Sequence, residues 1–484
     1  MDSSCNNLHV VIISSPGMGH LIPALVLANR LAATHDVRVT VLIVTTAVSP
    51  PESKLLKLPL HRELVEIIEL PPVDISHLVG PTTQVVTQLC LMTREAVPFI
   101  RSAVAAMDRR PGALIADLFS TETFPIAAEF NIPKYVYIPT TAWFTALIVY
   151  SPVLDQEINS QYVDQPQHLR IPGCKPVRPE DVVDPMLDRT DQQYSEYIRM
   201  GKEIPLFDGI LVNSWEDLEP ITLQAFRENE ALGSIVKVPV YPIGPLRRPI
   251  EPAGPENSSD LICWLDRQPN ESVIFVSFGS GGMLSKEQIT ELAWGLELSR
   301  QRFVWVVRPP TKDRVDDAFF NKSDGYNDCT PDYLPEGFLT RAHDLGFLVP
   351  MWAQQVEILN HPSVGGFLSH CGWNSILESI TSGVPMIAWP LYSEQRLNAA
   401  FLTEELGVAV RPEVLPTKQV VGRGEIQTLG RTVMQDKAGQ AMRDKVKQLK
   451  ISATNGLKHG GASHKSMSEV LSKIVHAKYN VDEN

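Results

Sequence analysis

A histidine and an aspartate in the first half of the chain could act together as a base. His20 follows a predicted apolar strand, Leu8–Ile13, and the turn Gly17-Met18-Gly19, and it opens a predicted helix. Asp117 lies at the carboxyl end of another predicted strand, Ala113–Leu118. Ligands of parallel sheets bind beyond the carboxyl ends of the strands, so both side chains can point into one crevice. An aspartate that holds one imidazole nitrogen leaves the other able to accept a proton. Taken singly, the histidine could simply start a helix and the aspartate could cap a strand end.

The glycine turn beside His20 also invites a nicotinamide-binding interpretation. That fingerprint needs a third glycine where Ile22 stands. It also needs an acidic residue at the end of the second strand, which instead ends in Val44-Thr45-Thr46. Since both requirements fail, the sequence argues against a dehydrogenase.

The second half of the chain contains the pattern of an anion site. A predicted strand, Val364–Leu368, leads into the tight turn Ser369–Trp373, and Asn374 and Ser375 then open a helix. The unbonded N–H groups and the dipole of a helix start both favour a bound anion. His370 and the hydroxyl of Ser375 can add hydrogen-bond donors, so this turn predicts a diphosphate site.

Side chains around this turn suit the rest of a nucleotide sugar. Glu378 lies one turn into the same helix and can accept hydrogen bonds from two ribose hydroxyls. Trp352, at a strand end, offers a face on which a base can stack. Glu394 and Gln395 head the next helix and can bond the hydroxyls of a sugar ring.

In this order and spacing, these residues resemble the 44-residue signature box of the plant secondary-product UDP-glycosyltransferases, here Trp352–Gln395. Three further stretches follow the family's order: SPGMGHLIP at 15–23, VPVYPIGPL at 238–246 and SFGSGG at 277–282. The resemblance covers the whole chain. It implies an inverting UDP-sugar hexosyltransferase that uses no metal, and it is closest to the subgroup that acts on monolignols and simple phenolics.

The resemblance also implies a role for each matching residue. Trp352 would stack on uracil, with Ala353 and Gln355 bonding its edge and nearby atoms, and Glu378 would hold the ribose. The residues expected to hold the phosphates are Ser280, His370, Asn374 and Ser375. The residues expected to orient the sugar are Trp373, Glu394 and Gln395, together with Thr141 of the first half.

Two positions depart from the family pattern. Gln354 stands where the family usually has proline, which changes backbone stiffness beside the expected uracil site. Glu394 stands where the family more often has aspartate, so hydroxyl contacts there can shift. Gln395, the last residue of the box, goes with glucose donors in this family.

The acceptor is less well determined by the sequence. Four apolar or aromatic side chains near strand ends of the first half suggest a flat, lipophilic, hydroxylated acceptor, although each alone could belong to the core: Met18, Phe119, Trp143 and Phe144. Monolignols and hydroquinone-like phenols are the expected substrates, with flavonoids, anthocyanidins and xenobiotic phenols as alternatives.

The pattern of the whole chain predicts an α/β protein with two doubly wound, Rossmann-like domains facing each other across a cleft, and the family resemblance implies that this fold is of the GT-B type. Uninterrupted apolar runs alternate with helical segments in both halves, as parallel sheets covered on both faces require. We expect an acceptor domain at 1–246, a linker at 247–259, a UDP-sugar domain at 260–462 and a C-terminal helix and tail at 463–484. The capping box Ser285–Gln288 predicts a helix start, and Pro309–Pro335 predicts a surface loop.

Composition limits the other classes of function. The 484 residues carry a net charge of −13 without a basic run, which argues against nucleic acid as a partner. The six cysteines have no paired spacing, no signal peptide is apparent, and no apolar run approaches the roughly 20 residues of a membrane span. We therefore expect a cytoplasmic monomer with no cofactor, UDP-glucose being a co-substrate. No D-x-D triplet is present to hold a metal.

Two other classes of protein remain as alternatives. Cys371 could be a nucleophile near His370, but adjacent residues rarely reach each other in the required geometry. A non-catalytic nucleotide-sugar-binding protein could keep the pocket, although His20 and Asp117 argue against it.

Overall fold

The computed structural model describes residues 8–45, 61, 63–249, 259–310 and 333–482. The chain divides into two compact units, one formed by Met1–Arg247 with Ala453–Asn484 and the other by Arg248–Ser452. Most of the predicted linker and most of the predicted loop Pro309–Pro335 lie outside the described residues. The second unit ends at Ser452, earlier than the expected boundary at 462.

The first unit is built on a seven-stranded sheet in which all neighbouring strands are parallel. Its strands are β1 (His9–Ser14), β2 (Arg38–Ile43), β3 (Val65–Glu69), β4 (Ala113–Asp117), β5 (Lys134–Ile138), β6 (Gly209–Val212) and β7 (Val240–Pro242). The order β3-β2-β1-β4-β5-β6-β7 reverses between β1 and β4. Doubly wound sheets bind ligands at such a switch point.

Helices connect these strands, as the alternating apolar pattern predicts. They are α1 (Met18–His35), α2 (Val85–Ala105), α3 (Phe124–Glu129), α4 (Ala142–Glu157), α5 (Gln192–Glu203), α6 (Pro220–Glu228) and α7 (Glu230–Ile235). Every residue of β4 is buried, which explains why its sequence, ALIAD, is apolar up to the aspartate that ends it.

The second unit is built on a six-stranded sheet, again with only parallel neighbours. Its strands are β8 (Val273–Ser277), β9 (Arg302–Val307), β10 (Gly346–Pro350), β11 (Val364–Ser369), β12 (Met386–Ala388) and β13 (Ala409–Val410). The order β10-β9-β8-β11-β12-β13 places the switch point between β8 and β11.

The helices of the remaining chain are named in the same way. They are α8 (Ser259–Asp266), α9 (Lys286–Ser299), α10 (Phe338–Arg341), α11 (Gln355–Leu359), α12 (Trp373–Ser382), α13 (Gln395–Ala400), α14 (Arg423–Gln435), α15 (Lys437–Leu457) and α16 (Ala462–Asp482). Both sheets thus have the doubly wound Rossmann-like organisation, which confirms the predicted fold class.

The C-terminal helix α16 belongs to the first unit. Met467, Val470, Leu471 and Ile474 are buried in the core that also contains residues of β1 and α1. The amphipathic pattern predicted a helix here but not its partner, since an apolar stripe does not specify the surface that covers it.

The helix start predicted from the capping box is confirmed, since α9 begins at Lys286, but two local details differ from the sequence interpretation. β7 was not among the predicted strands, because it is only three residues long and ends in Pro242. It lies at the edge of the sheet, where proline is tolerated. The capping box forms only in part: Ser285 Oγ accepts a hydrogen bond from the Gln288 N–H, but the Gln288 amide bonds the backbone of Val421 instead of returning to Ser285.

Candidate active site

His20 and Asp117 are in direct contact at the switch point of the first sheet. Nδ1 of His20 lies 3.2 Å from Oδ1 and 3.0 Å from Oδ2 of Asp117. The carboxylate also accepts hydrogen bonds from the backbone N–H groups of Ser15, at 3.3 Å, and Leu118, at 2.6 Å. The Asp117 carboxylate is therefore fixed both by the residue that follows β1 and by the residue that follows β4.

Electrostatics keep this buried aspartate ionised. Burial alone would raise the pKa of Asp117, but the charge of His20 and the hydrogen bonds from His20, Ser15 and Leu118 outweigh burial and hold the pKa below its usual value. With Asp117 ionised, the neutral imidazole carries its proton on Nδ1, so Nε2 is the nitrogen that can accept another.

The backbone around His20 explains the glycine turn. Gly17 has φ +96°, which favours a residue without a side chain, and helix α1 begins at the next residue. His20 thus lies in the first turn of α1, directly beyond the carboxyl end of β1. The ring of Phe119 packs 4.9 Å from the His20 ring, centroid to centroid.

Most of the predicted acceptor residues are buried in the first unit. Phe119 and Phe144 are 7% exposed and Trp143 only 2%, while Met18 is half-buried. Phe144 packs edge-on against Tyr197. Of these side chains, Phe119 contacts the ring of His20.

Thr141, expected to help orient the sugar, caps the helix that carries Trp143 and Phe144. Its Oγ1 accepts a hydrogen bond of 2.8 Å from the Phe144 N–H, and the residue is fully buried. Glu219, which sequence reasoning did not single out, holds the same helix start, because its carboxylate accepts the N–H groups of Ala142 and Trp143 at 2.9 and 3.0 Å.

In the second unit, the predicted phosphate turn joins β11 to α12. Cys371 has φ +65°, and α12 begins at Trp373, so Asn374 and Ser375 lie in its first turn. The Cys371 side chain is buried, and burial raises the pKa of its thiol to about 12. A buried, protonated thiol is a poor nucleophile, which argues against the cysteine-enzyme alternative.

His370 is packed between two glycines. A side-chain carbon at Gly279 would lie 2.4 Å from the imidazole ring, and one at Gly372 would lie 2.5 Å from it. Glycine is therefore required at both positions for the ring to fit. Nδ1 of His370 is buried and has no hydrogen-bond partner among the described residues.

The environment of His370 makes it a neutral group. Burial, and then the positive charge of Arg308, lowers the pKa of His370 to about 3. At neutral pH the residue can therefore donate a hydrogen bond without carrying a charge. Positive potential comes from the helix start of α12 and from the charge of Arg308.

Three predicted donor-site residues are in mutual contact. Nε2 of Gln355 donates to Oε2 of Glu378 at 2.6 Å and to Oγ of Ser375 at 2.8 Å. Glu378 and Ser375 are both 6% exposed. Because Ser375 Oγ accepts from Gln355, its own proton remains available for another acceptor, as a phosphate contact would require.

Trp352 presents the largest exposed aromatic surface of the donor site. It is 55% exposed, although tryptophan is usually largely buried. It follows Met351, which has φ +60°, and Ala353 beside it is half-buried. Ser280, in the loop after β8, is exposed.

The residues expected to contact the sugar are held by their neighbours. Glu394 accepts hydrogen bonds from Ser393 Oγ at 2.7 Å and from Asn398 Nδ2 at 3.2 Å. Gln395 Oε1 accepts the N–H groups of Leu391 and Tyr392, which fixes the amide plane.

The Trp373 side chain is part of the core of the second unit. Its indole is 3% exposed and packs 6.3 Å from Phe401, centroid to centroid. The side chain therefore stabilises the start of α12 by packing.

The described part of the chain shows neither a metal-binding cluster nor a membrane-spanning helix. Among the residues that the structure describes, no cluster of three or more His, Cys, Asp or Glu side chains could hold a metal ion. No helix within those same ranges is sufficiently long and apolar to cross a membrane.

The chain is similar to known proteins along most of its length. Residues 253–438 match the family described as UDP-glucoronosyl and UDP-glucosyl transferase. The chain is 54% identical to anthocyanidin 3-O-glucosyltransferase 5 of Manihot esculenta over 95% of this chain and 94% of the relative. It is 43% identical to hydroquinone glucosyltransferase of Rauvolfia serpentina over 96% of this chain and 97% of the relative.

Solved structures give the same result. The structure of Phytolacca americana UGT2 complexed with UDP-2fluoro-glucose and pterostilbene matches with a TM-score of 0.84 and 39% identity, over 96% of this chain and 99% of that one. Sequence identity over nearly the full length and the shared fold lead to one conclusion: the chain belongs to the UDP-glucoronosyl and UDP-glucosyl transferase family and is a plant secondary-product UDP-glycosyltransferase with the GT-B fold.

Proposed function

We propose that this enzyme transfers glucose from UDP-glucose to a hydroxyl group of a small phenolic molecule, with inversion at the anomeric carbon. The observation that carries the proposal is the contact between His20 and Asp117 at the switch point of the first sheet. It supplies a base whose orientation is fixed by an ionised, buried carboxylate.

The reaction needs one proton transfer and one displacement. Nε2 of His20 takes the proton of the acceptor hydroxyl, and Asp117 stabilises the imidazolium that forms. The acceptor oxygen then bonds to the anomeric carbon from the face opposite UDP. The bond from that carbon to the phosphate oxygen breaks, and UDP leaves with the electron pair. An α-linked donor therefore gives a β-glucoside.

The second unit offers the groups that a nucleotide sugar needs. The exposed face of Trp352 suits uracil, and the Glu378 carboxylate suits the ribose hydroxyls. The helix start of α12, with Ser375 and the neutral His370, suits the diphosphate. We propose that these groups stabilise the departing UDP without a metal ion.

Glucose is the proposed sugar for two reasons. Gln395 ends the signature box, and its amide is held by Leu391 and Tyr392 with the NH₂ group left for donation. Both relatives described above are also named glucosyltransferases.

Monolignols and hydroquinone-like phenols are the proposed acceptors. Phenolic hydroxyls have a pKa near 10, so one histidine can assist their ionisation at neutral pH. The relative named for hydroquinone supports this class. The relative named for anthocyanidins favours flavonoids as the second candidate.

A substrate panel tests the proposal. The purified chain would be incubated with UDP-glucose and, separately, coniferyl alcohol, hydroquinone, a flavonol and an anthocyanidin, with and without EDTA. We expect glucosides whose anomeric proton coupling shows the β configuration, formed at the same rate with chelator. Retention of the α configuration, or loss of activity to EDTA with recovery in Mn²⁺, would contradict the mechanism. UDP binding without turnover of any acceptor would favour a non-catalytic nucleotide-sugar-binding protein.

A further inference from the structure

Arg308 lies between two loops that carry proposed donor-site residues. It follows β9 directly, at the carboxyl end of the second sheet. In the sheet, β9 has β8 on one side and β10 on the other. The loop after β8 carries Ser280, and the turn after β10 carries Trp352. Sequence reasoning did not single out Arg308, whose place beside both loops depends on the strand order.

The guanidinium of Arg308 is hydrogen-bonded to both loops. Its Nε donates to the carbonyl oxygen of Met351 at 3.0 Å, and its Nη1 donates to that of Gly282 at 3.4 Å. One side chain thus links the backbone beside Trp352 to the backbone beside Ser280.

The turn that precedes Trp352 needs such support. Met351 has φ +60°, a conformation that is unfavourable for a residue with a side chain. Its N–H is bonded to Val307 and its carbonyl to Arg308, so both sides of the residue are tied to the end of β9. The Met351 carbonyl belongs to the peptide bond that leads into Trp352, so Arg308 fixes the direction in which that residue leaves the strand.

Arg308 also brings a positive charge that no carboxylate of the described residues neutralises. Arginine stays protonated at neutral pH, although burial lowers the pKa of this half-buried one. It forms no ion pair with any residue in the described ranges. Its charge reaches His370, since it contributes, after burial, to the lowered pKa of that residue. The environment therefore favours an anion near His370.

We propose that Arg308 is a positioning residue for the UDP-sugar: it holds the Trp352 turn and the Ser280 loop in their binding arrangement, and it brings a positive charge, unpaired among the described residues, to the Ser280 loop, which is proposed to hold the diphosphate. This inference rests on the proposed function of the second unit as the donor site. According to this inference, the Arg308 side chain supports both the residue that stacks on uracil and the loop that binds phosphate.

Two substitutions separate the positioning and charge effects. Arg308→Ala removes both, whereas Arg308→Lys keeps the charge and loses the planar donor group that reaches Met351 and Gly282. The matched control is Arg431→Ala, because Arg431 also donates to two backbone carbonyls, those of Leu298 and Ser299, at the end of α9. Uridine and UDP affinities would be measured by calorimetry on the full chain, together with the melting temperature.

The expected losses differ between the ligands. Arg308→Ala should weaken UDP binding by about tenfold to a hundredfold, the range for one charge-assisted interaction, and uridine binding by a smaller factor. The loss of UDP affinity in Arg308→Ala should exceed the loss of uridine affinity by the contribution of the charge. Arg308→Lys should recover most of that difference, while its uridine affinity should stay as low as that of Arg308→Ala. Arg431→Ala should leave both affinities within about twofold of wild type.

A double-mutant cycle tests whether Arg308 acts through Trp352. In a Trp352→Ala background, Arg308→Ala should change uridine affinity by less than about twofold, because the group that it positions is already gone. Independent, additive losses would overturn the positioning role. If Arg308→Ala only loosened the packing, the melting temperature would fall in both backgrounds and the change in uridine affinity would be the same with and without Trp352.

The outcomes distinguish this inference from the proposed function. Wild-type protein that binds neither UDP nor UDP-glucose would refute the donor site itself. Wild-type protein that binds UDP, while Arg308→Ala binds UDP and uridine within twofold of it, would overturn only the role of Arg308. Should the alanine variant not fold, Arg308→Lys decides, since unchanged uridine affinity in that variant would overturn the inference.

Discussion

Nδ1 of His20 lies 3.0 Å from Oδ2 of Asp117, and the same carboxylate accepts backbone hydrogen bonds from Ser15 and Leu118. These contacts join the turn after β1 to the end of β4, the two strands between which the first sheet reverses its order. The base and the group that orients it are therefore fixed by neighbouring strands, so little rearrangement of the pair is needed to accept a proton.

Replacing Glu378 should weaken the donor and spare the acceptor. A buried carboxylate that accepts two ribose hydroxyls makes charge-assisted hydrogen bonds of roughly 1.5–3 kcal/mol each. Glu378→Ala should therefore raise the KM for UDP-glucose at least about tenfold, with little change in kcat, because ribose contacts change little in the transition state. Steady-state kinetics with each substrate varied in turn would measure both constants.

Glu291→Ala is a suitable control for that experiment. Glu291 pairs with Arg423 on the surface of the second unit, at the side of α9 and α14. Its removal should leave the KM for UDP-glucose within about twofold of wild type. An unchanged donor KM in Glu378→Ala would remove Glu378 from the site.

The affinity for UDP-glucose should not follow the titration of an ordinary histidine. Burial lowers the pKa of His370 to about 3, so the residue is neutral from pH 5.5 to 8.5, in contrast to the roughly 6.5 of a free histidine. Calorimetric affinities for UDP-glucose, whose diphosphate diester does not titrate in this range, should stay within about threefold. His370→Gln, which keeps a neutral donor, should lose less affinity than His370→Ala.

A drop in affinity centred near pH 6.5 that disappears in His370→Gln would show that a charged His370 binds the phosphates.

The lowered pKa of His370 also makes the stability of the protein depend on pH. The unfolded chain binds a proton at His370 below about pH 6.5, whereas the folded chain resists it down to about pH 3. His370 should therefore reduce the free energy of unfolding progressively as pH falls through that interval, and His370→Gln should lessen the reduction.

Structural features that depend mainly on the local sequence can be predicted. The uninterrupted apolar runs of β1 and β4 predict buried parallel strands, and the glycine turn after β1 predicts a tight connection. The residues from Trp352 to Gln395 predict a nucleotide site because backbone and side-chain groups of this one segment would form much of it.

Features that depend on the partner of a residue could not be predicted. The stripe on α16 does not reveal that Met467 and Ile474 join the first core. The role of Arg308 requires knowing which strands lie next to β9. The neutral state of His370 follows from its burial and from Arg308, neither of which its neighbours in sequence show.

The benefit of Asp117 should depend on the acidity of the acceptor. A weakly acidic alcohol needs the full assistance of a base, whereas an acidic phenol such as 4-nitrophenol ionises with little help. Asp117→Asn should therefore lower kcat/KM about tenfold to a hundredfold for weakly acidic acceptors and distinctly less for 4-nitrophenol. The measurement is a plot of log kcat/KM against acceptor pKa for both proteins.

The difference in log kcat/KM between wild type and Asp117→Asn should increase as the pKa of the acceptor increases. Asp208→Asn provides the control, since Asp208 accepts the backbone N–H of Lys134 at the start of β5. An equal loss for every acceptor would mean that Asp117 only stabilises the fold.

The central claim is that His20 removes the acceptor proton and does not hold the donor. The most direct test compares turnover and UDP affinity in one preparation of His20→Ala. His343→Ala serves as control, because His343 also lies beside an aspartate, 3.1 Å from Asp344, but on the exposed surface of the second unit. We predict that His20→Ala lowers kcat by about 10²–10⁴, the usual contribution of a general base, and leaves the Kd for UDP within about twofold of wild type. Turnover close to that of wild type, or a loss of UDP affinity as large as the loss of turnover, would contradict the account.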